Sequence, residues 1–361
     1  MKATQTLHQL GQSLWLDNIT RTLLQNGTLA RYIAELSVTG LTSNPTIFEH
    51  AMTVGGSYDA SIHTLSEAGL SGEDLFFKLA LQDLTQAADL FRPTFDASDG
   101  VDGWVSLEVS PLLANHPALT TQAAIKLYAQ AGKENMFIKI PGTPQGVVAI
   151  EDVIFAGVPV NVTLLFSREH YLAAAEAYMR GIERRLAAGL DPKVACVASL
   201  FISRWDVAVK DDVPKPMHNR LGIAIAMRTY RVHSALLLSD RWQRLAQAGA
   251  QPLRLLWAST GTKDPAAPDT LYVQALAAPD TINTLPEKTL LAFADHGKVE
   301  QTLPSDAGYA ETVIEEFVRE GVDVDALASQ LQREGVDAFA ASWHALLSVI
   351  REKCASPAVP V

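Results

Sequence analysis

The chain has 361 residues, a length that suits one (β/α)8 barrel with appended helices and exceeds most other single domains. Its hydrophobic content of 48% provides an ample core, and a net charge of −11 argues against a nucleic-acid surface, which needs basic stripes. The first ten residues lack the apolar core of a signal peptide, no apolar run is long enough to cross a bilayer, and Cys196 and Cys354 cannot build a disulfide framework, so a cytoplasmic protein without a membrane partner is expected.

Eight short apolar runs recur along the chain, at Leu14–Leu16, Val38–Leu41, Val105–Val109, Met136–Ile140, Val158–Leu164, Ala195–Phe201, Leu253–Ala258 and Thr281–Thr284. Good helix formers lie between several of them, as in Thr121–Ala131, Arg168–Ala188 and Asn219–Ala248. Strands that alternate with helices argue for parallel βαβ units, and eight such units suggest a closed barrel. An open doubly wound sheet is the competitor, but no Gly-x-Gly-x-x-Gly follows the first strand.

Barrel enzymes carry their chemistry at the carboxyl ends of the strands, and polar residues stand there in this chain. Asp17 ends the first run, and Thr42 and Asn44 end the second, in Gly40-Leu41-Thr42-Ser43-Asn44-Pro45-Thr46. Ser106, Glu108 and Ser110 alternate along the third, on one face. In the fourth, Met136-Phe137-Ile138-Lys139-Ile140-Pro141-Gly142, Phe137 and Lys139 share one face of a greasy strand. Burial there disfavours the charged form of the Lys139 amine, and a neutral amine attacks carbonyls to form a Schiff base. Asn161 and Thr163 alternate in the fifth run, and Ser199 and Phe201 in the sixth, with Arg204 just beyond.

Each of these residues also has a plain structural reading: Asp17 as a helix cap, Asn44-Pro45 as a turn, Thr163 as a strand filler, Lys139 snorkelling from a strand end. Glu108 is harder to explain that way, because an unpaired carboxylate in a buried strand costs several kcal/mol. One inward-facing site accounts for all of them together. After the seventh run, Trp257-Ala258-Ser259-Thr260-Gly261-Thr262-Lys263 offers small residues, hydroxyls and a cation that can cradle a phosphate with Arg204. The histidines are scattered, with no His-Glu-x-x-His and no Cys-x-x-Cys, so no metal or other cofactor is expected.

The tail repeats one pentapeptide, Arg319-Glu320-Gly321-Val322-Asp323 and Arg333-Glu334-Gly335-Val336-Asp337. In each copy Gly can close one helix while Asp caps the next, which predicts three short helices near 306–320, 324–333 and 338–353. One domain over 1–361, with 305–353 as appended helices, is the expected organisation, and the Pro-rich end from Ser356 reads as a linker or frayed terminus.

Five blocks together resemble the transaldolases of the longer bacterial kind, over about residues 10 to 300: Leu14-Trp15-Leu16-Asp17-Asn18, Gly40 to Thr46, Ser106 to Ser110, Phe137 to Pro141 and Asn161 to Ser167. The resemblance implies a (β/α)8 barrel with the Schiff-base lysine on the fourth strand, at Lys139. It implies transfer of a dihydroxyacetone unit from sedoheptulose 7-phosphate or fructose 6-phosphate to an aldose phosphate, in the non-oxidative pentose phosphate pathway. Asp17 would then move the C4 hydroxyl proton, and Glu108 with Thr163 would hold a proton-shuttling water. Asn44 and Asn161 would bind the dihydroxyacetone hydroxyls, Thr42, Ser199 and Phe201 would line the cavity, and Arg204, Ser259 and Lys263 would hold the phosphate.

The shorter members of the family place an arginine close after the phosphate-loop serine, where this chain has Thr260-Gly261-Thr262-Lys263. A smaller relative, fructose 6-phosphate aldolase, releases free dihydroxyacetone and tends to carry Gln and Tyr where Glu108 and Phe201 stand. A phosphosugar-binding barrel without catalysis is the third reading, disfavoured because Asp17, Glu108, Lys139 and Thr163 are all present. Some relatives are fused to a glucose-phosphate isomerase, so such a partner domain is compatible with the resemblance. Nothing in these blocks sets an oligomeric state.

Overall fold

The eight apolar runs form eight parallel strands: β1 (Ser13–Leu16), β2 (Val38–Leu41), β3 (Trp104–Glu108), β4 (Met136–Pro141), β5 (Val160–Leu165), β6 (Cys196–Phe201), β7 (Arg254–Ala258) and β8 (Ile282–Leu285). They close in chain order, with β8 pairing back to β1. This is the (β/α)8 barrel, with the helices outside it. The computed structural model describes residues 1–54, 56–304, 306 and 308–356. The Pro-rich end from residue 357 and residue 305, the expected start of the appended helices, lie outside the described residues.

Parallel pairing sets the side chains of neighbouring strands level with one another. Glu108 pairs with Lys139, Lys139 with Asn161, and Pro141 with Thr163, so β3, β4 and β5 present one contiguous polar row. One layer below, Phe137 stacks on Trp104 with ring centroids 4.1 Å apart and lies 6.1 Å from Trp15. Gly40 on β2 makes room for this aromatic floor, since a Cβ there would stand 2.6 Å from Trp15 Nε1. The barrel interior therefore carries an aromatic layer beneath a polar carboxyl rim, because side chains alternate along each strand and polar residues stand at or just beyond several strand ends.

The region Asn219–Ala248 forms two helices, Leu221–Leu237 and Asp240–Gln247, where one was expected. Ser239 is the reason: its side chain accepts from the Trp242 N–H and caps a new helix start.

The tail departs further from expectation. Two helices form, Ala310–Arg319 and Val324–Ala355. The first pentapeptide copy behaves as expected, with Gly321 at φ +94° and Asp323 capping the Ala326 N–H. The second copy is helical throughout. A Cβ at Gly335 would stand 2.8 Å from Leu164 Cδ2 and 3.2 Å from Arg204 Nη1, so this glycine is the point where the helix meets the barrel. The C-terminal helix, Val324–Ala355, also packs on the helix Pro45–Thr53, and its Trp343 donates to Glu73 Oε1 at 2.7 Å. Among the described residues no helix is long and apolar enough to cross a membrane.

Candidate active site

Lys139 emerges from β4 just before its end and is only 5% exposed. Its Nζ donates to the Ser43 carbonyl at 2.9 Å and lies 3.2 Å from Glu108 Oε2. Ser43 is itself held, its hydroxyl donating to the Ser106 carbonyl at 2.8 Å. The amine thus sits on a short, fixed leash in a dry wall, as a nucleophile that must approach a carbonyl in one orientation requires.

Glu108 is buried behind that amine, and its carboxyl is pushed up from the usual carboxylate range by desolvation, with Lys139 pulling the other way. Neither of its oxygens has an aligned hydrogen-bond donor, so the contact with Lys139 is an ion contact and not a formed hydrogen bond. Thr163 Oγ1, fully buried on β5, is likewise unpartnered. Three polar atoms with unused hydrogen-bonding capacity therefore flank the lysine, an arrangement that buried groups avoid unless they serve a ligand or water.

Beside Lys139 opens a cavity of about 120 Å³. Asp17, Thr42, Asn44, Lys139, Thr163, Ser199 and Phe201 line it, together with Arg204, Ser259 and Lys263. A larger cavity, of about 770 Å³, opens between the helices Gly72–Ala97 and Pro117–Ala131, but it holds no comparable convergence of a nucleophile with acid–base groups. Chemistry, not volume, marks the site.

Burial raises the Asp17 carboxyl to about 6, against the opposing pull of Lys139, Thr42, Lys263 and Arg204. A carboxyl poised there exchanges protons near neutrality, as a general acid–base group should. Its neighbour Thr42 shares a hydroxyl contact of 2.9 Å with Thr284. Asn44 does cap a helix, its Oδ1 accepting from the Ile47 N–H at 2.9 Å, and it also lines the cavity. The structural and the functional readings of that residue hold together, because Oδ1 is used and Nδ2 is not.

Arg204 lies just past β6, with its guanidinium 5.1 Å from the Phe201 ring and 6.0 Å from the Phe339 ring. Burial lowers its pKa from the ordinary arginine value, while Glu334 and Asp17 support its charge. Ser259 follows β7 in the left-handed region at φ +56°, and its hydroxyl meets Ser203 Oγ at 2.9 Å. Lys263 is exposed at the cavity mouth. Two cations, Arg204 and Lys263, line this small space beside Lys139 in a protein of net charge −11. A local field can favour an anion whatever the distant surface carries.

Two expected residues stand back from the cavity. Glu108 is behind Lys139, and Asn161 lies beneath the lining, donating to Ser106 Oγ at 3.2 Å and accepting from Ser199 Oγ at 2.7 Å. The rest of the expected set lines the cavity.

The transaldolase/fructose-6-phosphate aldolase family matches residues 14–350. A transaldolase of Parafrankia sp. (strain EAN1pec) is 43% identical over 366 residues, covering 99% of each chain. A transaldolase of Arthrobacter sp. (strain FB24) is 42% identical over 362 residues, covering 98% of each. The protein named transaldolase 2 in Nostoc punctiforme is 39% identical over 367 residues, covering 96% of each.

The chain belongs to the transaldolase/fructose-6-phosphate aldolase family. The family match runs well past residue 300, where the expected resemblance ended, and takes in most of the C-terminal helix. That helix supplies residues the sequence reading missed. Phe339 lines the cavity, and Gln332 reaches the ends of β4 and β5. The signal available was helical spacing: Gln332, Gly335, Phe339 and Trp343 fall on one face at i, i+3, i+7 and i+11. Thr284 and Pro286 were also missed, for want of any motif around them, and so was the carbonyl of Ser43, because a backbone acceptor has no signature in a sequence.

Proposed function

We propose that the protein is a transaldolase that moves a dihydroxyacetone unit between sugar phosphates through a Schiff base on Lys139. The observation that carries this reading is a buried amine, fixed by the Ser43 carbonyl, opening into a cavity that also holds a carboxyl poised at about 6 and two phosphate-competent cations.

Lys139 Nζ attacks the C2 ketone of the donor, and loss of water gives an iminium. The Glu108 and Thr163 oxygens suit a bridging water that carries protons during formation and hydrolysis of the imine. Asp17 takes the proton of the C4 hydroxyl, the C3–C4 bond breaks, and its electrons pass into the iminium to leave an enamine on Lys139. The aldose phosphate departs. An acceptor aldehyde then adds to the enamine carbon, Asp17 returns the proton to the new hydroxyl, and water releases the ketose. No resident cofactor enters this cycle, because the iminium is the electron sink.

Asn44 Nδ2 and Thr42 address the hydroxyls of the three-carbon unit. Asn161 joins them through Ser199, whose hydroxyl it holds, with one N–H not used by Ser106. Arg204, Ser259 and Lys263 take the phosphate, arginine bidentately. We further read the chain as one domain, since the C-terminal helix contributes Phe339 to the cavity wall, and as cytoplasmic, in keeping with free Cys196 and Cys354.

Glu108 and Phe201 favour transfer over release of free dihydroxyacetone. The deciding assay mixes sedoheptulose 7-phosphate with glyceraldehyde 3-phosphate and follows erythrose 4-phosphate and fructose 6-phosphate. Borohydride added with fructose 6-phosphate should fix a reduced three-carbon adduct on Lys139, and Lys139→Met should lose it while staying folded. Free dihydroxyacetone as the main product without an acceptor would make the protein the aldolase, and an adduct elsewhere would remove Lys139 from the reaction.

A further inference from the structure

Gln332 is a buried polar residue on the C-terminal helix, only 6% exposed. Its side-chain amide donates to the Gly142 carbonyl at 3.0 Å and to the Leu164 carbonyl at 3.0 Å. An amide nitrogen has two protons, and both are used. His170 Nδ1 stands 3.4 Å away and already accepts from the Phe166 N–H, so the two carbonyls hold the better contacts.

Those carbonyls mark the ends of the two strands that carry the chemistry. Gly142 is three residues beyond Lys139, and Leu164 follows Thr163 directly. The ladder is irregular here: the β5–β6 register shifts between Val162 and Leu165, and Leu164 is a non-glycine residue in the left-handed region, at φ +58°. Backbone of that kind persists only where its surroundings over-determine it. The Gly142 N–H donates to the Thr163 carbonyl at 2.7 Å, which ties the two strand ends to each other, and Gln332 clamps both from above.

We propose that Gln332 is a positioning residue for the imine chemistry. By clamping Gly142 and Leu164, the helix keeps Leu164 left-handed and so aims the Thr163 hydroxyl at Glu108 and Lys139. Without the clamp, Leu164 relaxes towards the extended region and the Thr163–Leu164 peptide turns, moving the hydroxyl off the proton route while leaving Arg204 and Lys263 in place. The inference rests on Lys139 being the imine-forming amine.

The test uses the full chain with Gln332→Met, which keeps length without donors, and Gln332→Glu, which keeps shape but cannot donate as a carboxylate. Steady-state kinetics with fructose 6-phosphate and erythrose 4-phosphate are combined with the rate of borohydride trapping, each scaled to the folded fraction from near-UV circular dichroism. Both variants should lose about tenfold in kcat and in trapping rate, with KM within about twofold. Relative to wild type, Gln332→Glu should recover in part as pH falls from 8 to 5.5, because a protonated carboxyl regains one of the two donors, and Gln332→Met should not. Wild-type trapping and kcat in Gln332→Met, a loss confined to KM, or failure of both variants to fold would each overturn the inference. Absence of a Lys139 adduct in the wild type would instead sink the Schiff-base reading, so the two failures are distinguishable.

Discussion

Lys139 Nζ lies 3.2 Å from Glu108 Oε2 across the β3–β4 register, yet that carboxyl has no aligned donor and is pushed towards its neutral form by burial. A pair built for stability would be hydrogen-bonded on both oxygens, since a buried charge is costly when only partly satisfied. A carboxyl left with spare capacity beside an amine serves proton transfer better than adhesion. Glu108→Gln should therefore leave the fold intact and lower kcat by about a hundredfold or more, the usual scale for loss of a general acid–base group. The slow step should be imine formation, read as slower borohydride trapping with no change in where the adduct forms.

Asp17 should fail differently. Its carboxyl titrates at about 6, and cleavage requires its ionised form. In the wild type, kcat/KM should fall about tenfold per pH unit below that value, as the free enzyme's essential base protonates. Asp17→Asn should still trap substrate on Lys139, lose about a hundredfold or more in turnover, and show no acid limb near 6. A variant that keeps the limb would assign it to another group.

The same shift has a consequence for stability. The folded-state value of about 6 lies above the ordinary 3.8, so between the two the folded state binds the extra proton. Stability tied to this group is present at low pH and lost as pH rises through 6. Asp17→Asn removes the cost of ionising there. Its Tm should exceed that of the wild type at pH 8, and the difference should shrink as pH falls from 6 towards 4.

The strands were legible in the sequence because a parallel barrel buries both faces of each strand, leaving short apolar runs that end on polar side chains. Lys139 and Glu108 stood out for the same reason: charge is expensive in such a run. Asn161 was expected to face the substrate, but its polar ends are shared with Ser106 and Ser199 beneath the cavity lining, and cross-strand partners depend on a register the sequence does not show. Helical spacing could have put Gln332 on an inward face, but its partners could not be read. A glutamine in a polar helical tail looks like surface until the Gly142 and Leu164 carbonyls appear beside it, at separations of 190 and 168 residues.

Arg204 and Lys263 should govern affinity for phosphate more than the chemistry. A charge-assisted hydrogen bond contributes about 1.5–3 kcal/mol, or roughly tenfold to a hundredfold in binding. Arg204→Met should raise KM for fructose 6-phosphate by about that factor, with kcat at saturation changed only a few-fold. Activity on unphosphorylated fructose should be almost unchanged by the substitution. Lys263→Met should have a smaller effect that fades with added salt, because that ammonium is exposed.

The two glycines of the repeated pentapeptide should respond in different observables to the same substitution. Gly321 adopts φ +94° with nothing within 4 Å of where a Cβ would stand, so Gly321→Ala meets only backbone strain, about 1 kcal/mol, far from the cavity. Its Tm should drop slightly and its KM should not move. Gly335 is helical, and alanine there gains about 1 kcal/mol of helix propensity. That gain is opposed by a methyl 2.8 Å from Leu164 Cδ2 and 3.2 Å from Arg204 Nη1, contacts of a kind that cost about 1–3 kcal/mol in packed interiors. Relief comes by lifting the helix off the barrel rim, which also shifts Phe339 and the guanidinium it flanks. Gly335→Ala should thus raise KM for phosphorylated substrate several-fold even where its Tm is close to wild type, and steady-state kinetics beside a thermal melt would separate the two glycines.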